Sequence, residues 1–171
     1  RQDEPDECRS LSTLTPVELA AREAARSALA YPPVTLTEEQ SAAVGRGFAD
    51  KASRSNYTIW ACSILPEHTH LVVARHTYRV EQMANLLKGA ASRQLLNEQC
   101  HPLASFAKPD ERPPRVWSEH EWKVYLNSEA AIENAIAYVE QNPIKEGKPK
   151  QTWDFVTPFA GLPRGGWQTY H

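Results

Sequence analysis

The stretch Tyr57-Thr-Ile-Trp-Ala-Cys-Ser-Ile-Leu-Pro-Glu-His-Thr-His-Leu-Val-Val-Ala74 contains the signals that decide the fold. Residues 57–64 are rich in aromatic and β-branched side chains, which favour a β-strand. Pro66 interrupts this strand because proline cannot donate a hydrogen bond to a neighbouring strand. A second apolar stretch follows directly, so the sequence predicts two consecutive strands.

The second predicted strand carries two histidines in alternate positions. Side chains of a strand point to opposite faces in turn, so His68, His70 and Val72 share one face, and Leu71 and Val73 share the other. At a rise of about 3.3 Å per residue, the Cβ atoms of the two histidines lie about 7 Å apart. Two imidazole rings at that separation can reach one metal ion.

The composition is that of a single folded domain. The chain has 171 residues, of which 41% are hydrophobic, enough to build one core. No apolar run approaches the roughly 18 to 20 residues that cross a bilayer, and the acidic start is unlike a secretory signal. We therefore expect a cytoplasmic protein without membrane contact. The net charge of -2 gives no electrostatic indication of nucleic-acid binding, and Cys8, Cys62 and Cys100 form neither a disulfide framework nor a zinc-ribbon pattern.

Helix signals flank the two strands. Residues 1–14 are polar and acidic and are predicted to be a mobile tail. Thr15-Pro16-Val17-Glu18 and Thr37-Glu38-Glu39-Gln40 each have the pattern of a capping box, so a helix should begin at each. Apolar residues recur at helical spacing between Arg79 and about Glu98, which predicts a third helix.

Residues 116–126 contain several aromatic and β-branched residues. This composition fits one strand or a short hairpin at the sheet. Two interpretations apply to Trp117 and Trp122. They are either core residues, the commoner case, or a stacking surface for an unpaired base.

The last predicted helix places a phenol and an amide on one face. Ser128 caps this helix, which should end at Asn142 because Pro143 disfavours helical geometry in the residue before it. Tyr138 and Asn142 lie four residues apart, hence on one face and about 6 Å from each other. A tyrosine hydroxyl and an amide oxygen can then point to the same place.

Three segments together resemble a known family. They are Ile64-Leu-Pro-Glu-His-Thr-His-Leu-Val-Val73, Val116-Trp117 and Ala137-Tyr-Val-Glu-Gln-Asn-Pro-Ile-Lys145. In this order they resemble the single-strand tyrosine transposases of the HUH superfamily, in particular the insertion-sequence-200 type and the REP-associated tyrosine transposases. The resemblance covers residues 38–147.

The resemblance implies an α+β fold of the ferredoxin-like kind. It predicts a mostly antiparallel sheet with helices on one face, that of Leu71 and Val73, and an open groove on the histidine face crossed by the Tyr138 helix. The transposase-like domain should comprise residues 15–147, with a C-terminal extension at 148–171. Members of the family begin with a strand before the first helix, and no candidate precedes residue 15, so we expect an exposed position in the sheet.

The resemblance also implies a reaction. Tyr138 would attack a phosphodiester and form a 5'-phosphotyrosine, and a free 3'-OH would later reverse the step. His68, His70 and Asn142 would hold a divalent ion, with Gln141 the nearest competitor of Asn142. The family uses Mg²⁺ or Mn²⁺, although imidazole ligands also suit zinc or nickel.

The expected partner is single-stranded DNA at a hairpin or an imperfect palindrome, bound by a monomer or a homodimer associated with the nucleoid. Some basic and aromatic side chains should contact this DNA, although a solvated surface is the default interpretation for the charged ones. The candidates are Arg75, Arg79, Lys88, Arg93, Arg112, Arg115 and Trp117.

Two rival functions remain open. One is a domesticated protein that holds a DNA hairpin without cutting it. The other is a zinc hydrolase that uses His68, His70 and a distant ligand such as His101 or Cys100. Substitution of Tyr138 separates the first rival from a nuclease, and substitution of His101 tests the second.

Overall fold

The computed structural model describes residues 15–119 and 121–162. In this part of the chain, four α-helices accompany one two-stranded antiparallel sheet, which confirms the predicted α+β class. The predicted mobile tail, residues 1–14, lies outside the described residues. The elements, in chain order, are α1 (Pro16–Ser27), α2 (Glu38–Ser55), β1 (Ile59–Ile64), β2 (Thr69–Val73), α3 (Val80–Asn97) and α4 (Glu129–Lys145).

The chain divides into two compact units, one ending at Pro33 and one beginning at Val34. The first contains α1, and the second contains every other element. None of the helices in the described ranges combines the length and the apolar character that a bilayer span requires.

Both predicted capping boxes are present. In α1, Thr15 Oγ1 accepts the Glu18 N–H, and a Glu18 carboxylate oxygen accepts the Thr15 N–H at 2.7 Å. In α2, Thr37 and Gln40 form the same reciprocal pair, with N···O distances of 2.9 and 3.2 Å. Each pair satisfies two backbone N–H groups that a helix start leaves without partners, so the local sequence alone sets these two starts.

β1 and β2 pair as the sequence predicts, with Ser63 opposite His70 and Ile64 opposite Thr69. α2 and α3 cover the face of Leu71 and Val73 and form the main core with β1. Its buried members include Val44, Phe48, Ile59, Ile64, Met83, Leu87 and Leu95. The histidine face of β2 is therefore directed away from the main core.

α4 packs on the opposite side of the sheet. Ile132 and Val139 from α4 bury Ala61 and Val72 in a second, smaller core. α4 thus crosses the histidine face, where the Tyr138 helix was expected, so helices cover both faces of the sheet rather than one. The groove expected there is filled by α4 where it contacts Val72. The apolar side of α4 requires burial, and the apolar side chains of this sheet face provide it.

The strand predicted for residues 116–126 is absent from the described residues of that segment, which excludes residue 120. Side chains rather than a strand ladder hold the segment. The Lys88 ammonium lies 2.9 Å from Glu121 Oε2, and Lys123 forms an ion pair with Glu81. Both partners belong to α3, so the β-type composition is overridden by tertiary contacts.

The predicted end of α4 at Asn142 is also wrong, because the helix continues to Lys145 with Pro143 inside its last turn. Pro143 is less than 2% exposed. Burial of its ring offsets the backbone hydrogen bond that proline cannot donate. One turn later the Glu146 N–H donates to the Asn142 carbonyl at 3.3 Å, which closes the helix.

The predicted exposed position in the sheet is not found along β1, because residues 151–157 bond to this strand. The Gln151 side-chain amide donates to the Ile64 carbonyl at 2.7 Å and accepts the Ile64 N–H at 2.8 Å. At the other end of β1, the Thr157 N–H donates to the Ile59 carbonyl at 2.8 Å. The described part of the predicted C-terminal extension thus bonds to both ends of β1.

Gly47 allows α2 and α3 to approach closely. A Cβ atom at this position would lie 2.7 Å from Ala91 Cα, and backbone cannot move aside as the end of a flexible side chain can. We therefore expect Gly47→Ala to lower the free energy of unfolding by about 1 to 3 kcal/mol. Urea denaturation measures the effect.

Gly89→Ala in α3 is the matched control for Gly47→Ala. A Cβ there would meet only Arg93 NH1, at 3.6 Å, which is an ordinary contact. Alanine in place of a mid-helix glycine should stabilise by about 0.5 to 1 kcal/mol. Equal effects of the two substitutions would contradict the close approach at Gly47.

An ion pair between α2 and the end of α3 should make stability depend on pH. Arg46 binds Glu98 through two N···O contacts of 2.6 and 2.7 Å, and Gln94 Nε2 adds a third at 2.7 Å. These contacts, first that of Arg46, lower the pKa of Glu98 from 4.5 to about 2. Because the folded-state pKa is depressed, the stabilisation is present above pH 4.5 and is lost as pH falls toward 2.

We expect Glu98→Gln to cost up to about 1 kcal/mol at pH 7 and less at pH 3, as measured by urea denaturation at both pH values. Asp50→Asn is the control, because Asp50 binds Arg54 within one helix at 2.9 Å and both side chains are more exposed. If the Glu98→Gln variant and the unmutated protein differed in free energy of unfolding by the same amount at pH 3 and at pH 7, the ion-pair interpretation would be contradicted.

Candidate active site

His68, directly before β2, and His70, within β2, stand side by side. Their ring centroids lie 5.0 Å apart, and the ring planes are inclined by 74°. The alternation of β2 produces this arrangement, because Leu71 and Val73 on its other face are fixed in the main core. The two rings therefore project toward the side of the sheet that carries α4.

His70 is the more buried of the two histidines. Burial, followed by the charge of neighbouring His68, lowers the pKa of His70 to about 4. The ring is therefore neutral at pH 7. Its Nε2 atom is buried and has no hydrogen-bond partner in the described part of the chain. A neutral ring nitrogen with an available lone pair is what a metal ligand requires.

Tyr138 comes from α4 and contacts His70. The two ring centroids are 5.7 Å apart, with the planes nearly perpendicular at 88°. Val139, the next residue, is buried in the smaller core and fixes the rotation of the helix at this point. The tyrosine is 37% exposed, so a solvent-borne substrate can reach it.

Asn142 lies one turn after Tyr138 and is 8% exposed, whereas the competing candidate Gln141 is exposed. Asn142 Nδ2 has no hydrogen-bond partner within the described residues. A buried NH2 donor without an acceptor carries a free-energy cost, which favours a bound acceptor such as a phosphate oxygen at this place. The burial of Asn142 and the exposure of Gln141 favour Asn142 as the residue that faces β2.

Glu146 is a site residue that the sequence reasoning missed. Its Oε1 atom lies 3.2 Å from His68 Nε2. Tyr138, Asn142 and Glu146 follow at intervals of four residues, so they form one line along α4. The first member contacts His70 and the last contacts His68, which places Asn142 between these contacts. The four-residue spacing could have indicated Glu146 from the sequence. It was not used because the helix was expected to end at Asn142.

Three of the predicted DNA-contacting residues, Lys88, Arg115 and Trp117, line one groove of about 410 Å³ beside α3. Their polar groups are engaged by the protein itself. Lys88 binds Glu121, Arg115 NH1 lies 3.7 Å from Glu119 Oε1, and Trp117 Nε1 donates to Ser92 Oγ at 3.0 Å. The remaining candidates Arg75, Arg79 and Arg93 are exposed, as is Arg112, and none of them lines this groove.

The ligands named for a zinc hydrolase have local roles at the end of α3. His101 is buried, and its Nδ1 accepts the Leu103 N–H at 3.2 Å. The Cys100 carbonyl accepts a hydrogen bond from Gln40 at 2.9 Å. Across residues 15–119 and 121–162, no three His, Cys, Asp or Glu side chains are arranged to hold a metal ion. That statement does not cover His68, His70 and Asn142, because the third member of this set is an amide.

No family model matches the chain, and neither a curated protein nor a solved structure matches it. The site is therefore described by its own geometry. Two adjacent imidazoles, a phenol, a buried amide and a carboxylate meet where α4 crosses β2.

Proposed function

We propose that the chain cleaves and rejoins single-stranded DNA, with the Tyr138 hydroxyl as nucleophile. The observation that carries the proposal is the contact of Tyr138 with His70, which itself stands beside His68. Residues 70 and 138 are distant in sequence and belong to different elements. We further propose that the second unit is a variant of the ferredoxin-like sandwich, with residues 151–157 at its sheet edge.

In the proposed reaction, the Tyr138 oxygen attacks the phosphorus of a phosphodiester after its proton passes to water. A bond between phosphorus and the tyrosine oxygen forms, and the bond to the 3' oxygen breaks. That oxygen leaves with the electron pair and takes a proton from water. A 3'-OH that attacks the 5'-phosphotyrosine reverses the step, so cutting and rejoining need no external energy source.

The residues fit a divalent metal ion. His68, His70 and Asn142 would hold it, because they offer a neutral imidazole whose Nε2 has no partner among the described residues, a second imidazole beside it, and the side-chain oxygen of a buried amide. An ion there would neutralise charge that develops on the phosphate oxygens. Mg²⁺ or Mn²⁺ is the proposed metal, with Mn²⁺ the better match to imidazole ligands.

The proposed substrate is a DNA hairpin with an unpaired flank. The exposed arginines Arg75, Arg79 and Arg93 are the candidates for phosphate contacts. Stacking by exposed Trp122 and Tyr125 would hold unpaired bases without reading their sequence.

A hairpin oligonucleotide labelled at its 3' end tests this proposal. A 5'-phosphotyrosine attaches the protein to the fragment on the 3' side of the cut. In the presence of Mn²⁺ we therefore expect the 3' label to migrate with denatured protein, and a 5' label to appear on a shorter free strand. Labels found only on intact DNA, across a library of hairpins, would refute cleavage.

A non-cleaving hairpin-binding protein is the second candidate. The contact of Glu146 with His68 Nε2 favours it, because this carboxylate competes with a metal ion for the ring nitrogen. Such a protein would bind hairpins with the same affinity in Mn²⁺ and in a chelator, and it would form no adduct. The labelled oligonucleotide therefore separates the two functions.

A further inference from the structure

Lys145 lies close to the proposed nucleophile. Its Nζ atom is 5.2 Å from the centroid of the Tyr138 ring, which is a cation–π distance. Lys145 is exposed and belongs to the last turn of α4. Residues 138 and 145 are seven apart, about two helical turns, so continuous helix brings their side chains to one side.

This proximity depends on the helix continuing past Pro143. If α4 ended at Asn142, Lys145 would belong to a loop and would not follow the helical repeat. The burial of Pro143, at less than 2% exposure, holds the last turn in place. The continuation of α4 past Pro143, which the sequence pattern did not predict, therefore positions the Lys145 ammonium.

Lys145 forms no ion pair with a carboxylate among the described residues. Within the described residues, no Asp or Glu oxygen lies within ion-pair distance of its Nζ atom. The nearest acidic residues in sequence have other partners, since Glu146 binds His68 at 3.2 Å and Glu140 binds Lys150 at 3.6 Å. The Tyr138 ring thus has two close neighbours, the His70 ring with its centroid 5.7 Å away and the Lys145 ammonium at 5.2 Å.

We propose that Lys145 neutralises the scissile DNA phosphate as the Tyr138 oxygen attacks it. The inference rests on the proposed cleavage function and adds a residue to it. Attack joins a phenolate to a phosphodiester, so two negative charges meet in the transition state. An ammonium already placed beside the phenol stabilises that charge more than it stabilises the separated reactants, which raises the rate rather than the affinity.

A stabilising contact with the helix C-terminus is the alternative role of Lys145. A cation in the last turn interacts favourably with the helix dipole, typically by a fraction of a kcal/mol. In that role, loss of Lys145 would lower the melting temperature and leave the rate of adduct formation unchanged. The two roles are therefore separable by comparing rate, affinity and stability in the same variants.

The experiment uses the full chain, a 3'-labelled hairpin that the unmutated protein converts to a covalent adduct, and Mn²⁺. We expect Lys145→Ala to slow adduct formation about 100-fold at saturating DNA, with the dissociation constant for the hairpin changed less than twofold. Lys145→Arg should restore most of the rate, because it restores the charge. Lys148→Ala is the control, since Lys148 is an exposed lysine near the same helix end.

Each other outcome overturns the inference. An unchanged rate in Lys145→Ala, a loss that Lys145→Arg does not restore, or an equal loss in Lys148→Ala would show that this ammonium does not act on the phosphate. A parallel loss of rate and melting temperature would assign Lys145 to helix stability. No adduct from the unmutated protein would instead refute the proposed cleavage, and with it the role of Lys145, so the two failures are distinguishable.

Discussion

Tyr138→Phe should abolish the covalent protein–DNA adduct while leaving hairpin affinity and stability nearly unchanged. Phenylalanine keeps the ring that packs against His70 and Lys145, and it removes only the hydroxyl that forms the new bond. Loss of a nucleophile costs on the order of 10⁴-fold or more in rate. Denaturing gel electrophoresis of the 3'-labelled hairpin measures the adduct, and fluorescence anisotropy measures the affinity.

Tyr78→Phe is the matched control, because Tyr78 is 41% exposed, close to the 37% of Tyr138, and lies between β2 and α3 rather than at the α4–β2 crossing. It should form the adduct at the rate of the unmutated protein. An adduct that survives Tyr138→Phe would exclude Tyr138 as nucleophile. Tight hairpin binding without any adduct from the unmutated protein would establish the non-cleaving alternative.

Local sequence was sufficient wherever local interactions decide the structure. Thr15 and Thr37 set two helix starts because each cap closes within three residues. The alternation of His70 and Leu71 set the two faces of β2 because a strand has a fixed period of two. The spacing of Tyr138 and Asn142 followed in the same way from the helical repeat.

Local sequence failed where contacts between distant segments decide the structure. Residues 116–126 have strand composition, but Glu121 is bound by Lys88, thirty-three residues away. Pro143 signals a helix end, but its ring is buried and the helix continues. Gln151 gives no local sign that its amide bonds to both backbone groups of Ile64.

The candidate site shows the same division. The histidine pair is a local pattern at the start of β2, and the Tyr138–Asn142 pair is a periodic pattern within α4. Their approach is a tertiary event, produced by the burial of Ile132 and Val139 against Ala61 and Val72. Glu146 was missed because its place near His68 requires both the extended helix and that packing.

His70→Ala should remove metal binding. Burial keeps His70 neutral at pH 7, and its Nε2 atom has no hydrogen-bond partner among the described residues, so the ring is ready to act as a ligand. Removal of a residue that only supports a metal ligand lowers the metal affinity about 10- to 100-fold. Removal of a ligand itself should therefore lower it by more than about 100-fold. Titration calorimetry with Mn²⁺ measures the loss without reference to activity.

His101→Ala provides the control, because His101 is also a buried histidine, and its ring accepts a hydrogen bond from the Leu103 backbone N–H. It should destabilise the fold locally and leave the Mn²⁺ affinity within about twofold, since its ring lies outside the α4–β2 crossing. Loss of metal binding in His101→Ala would favour the zinc-hydrolase alternative. Retention of full Mn²⁺ affinity in His70→Ala would mean that the paired imidazoles hold no metal, and the burial of His70 would then serve only the contact with Tyr138.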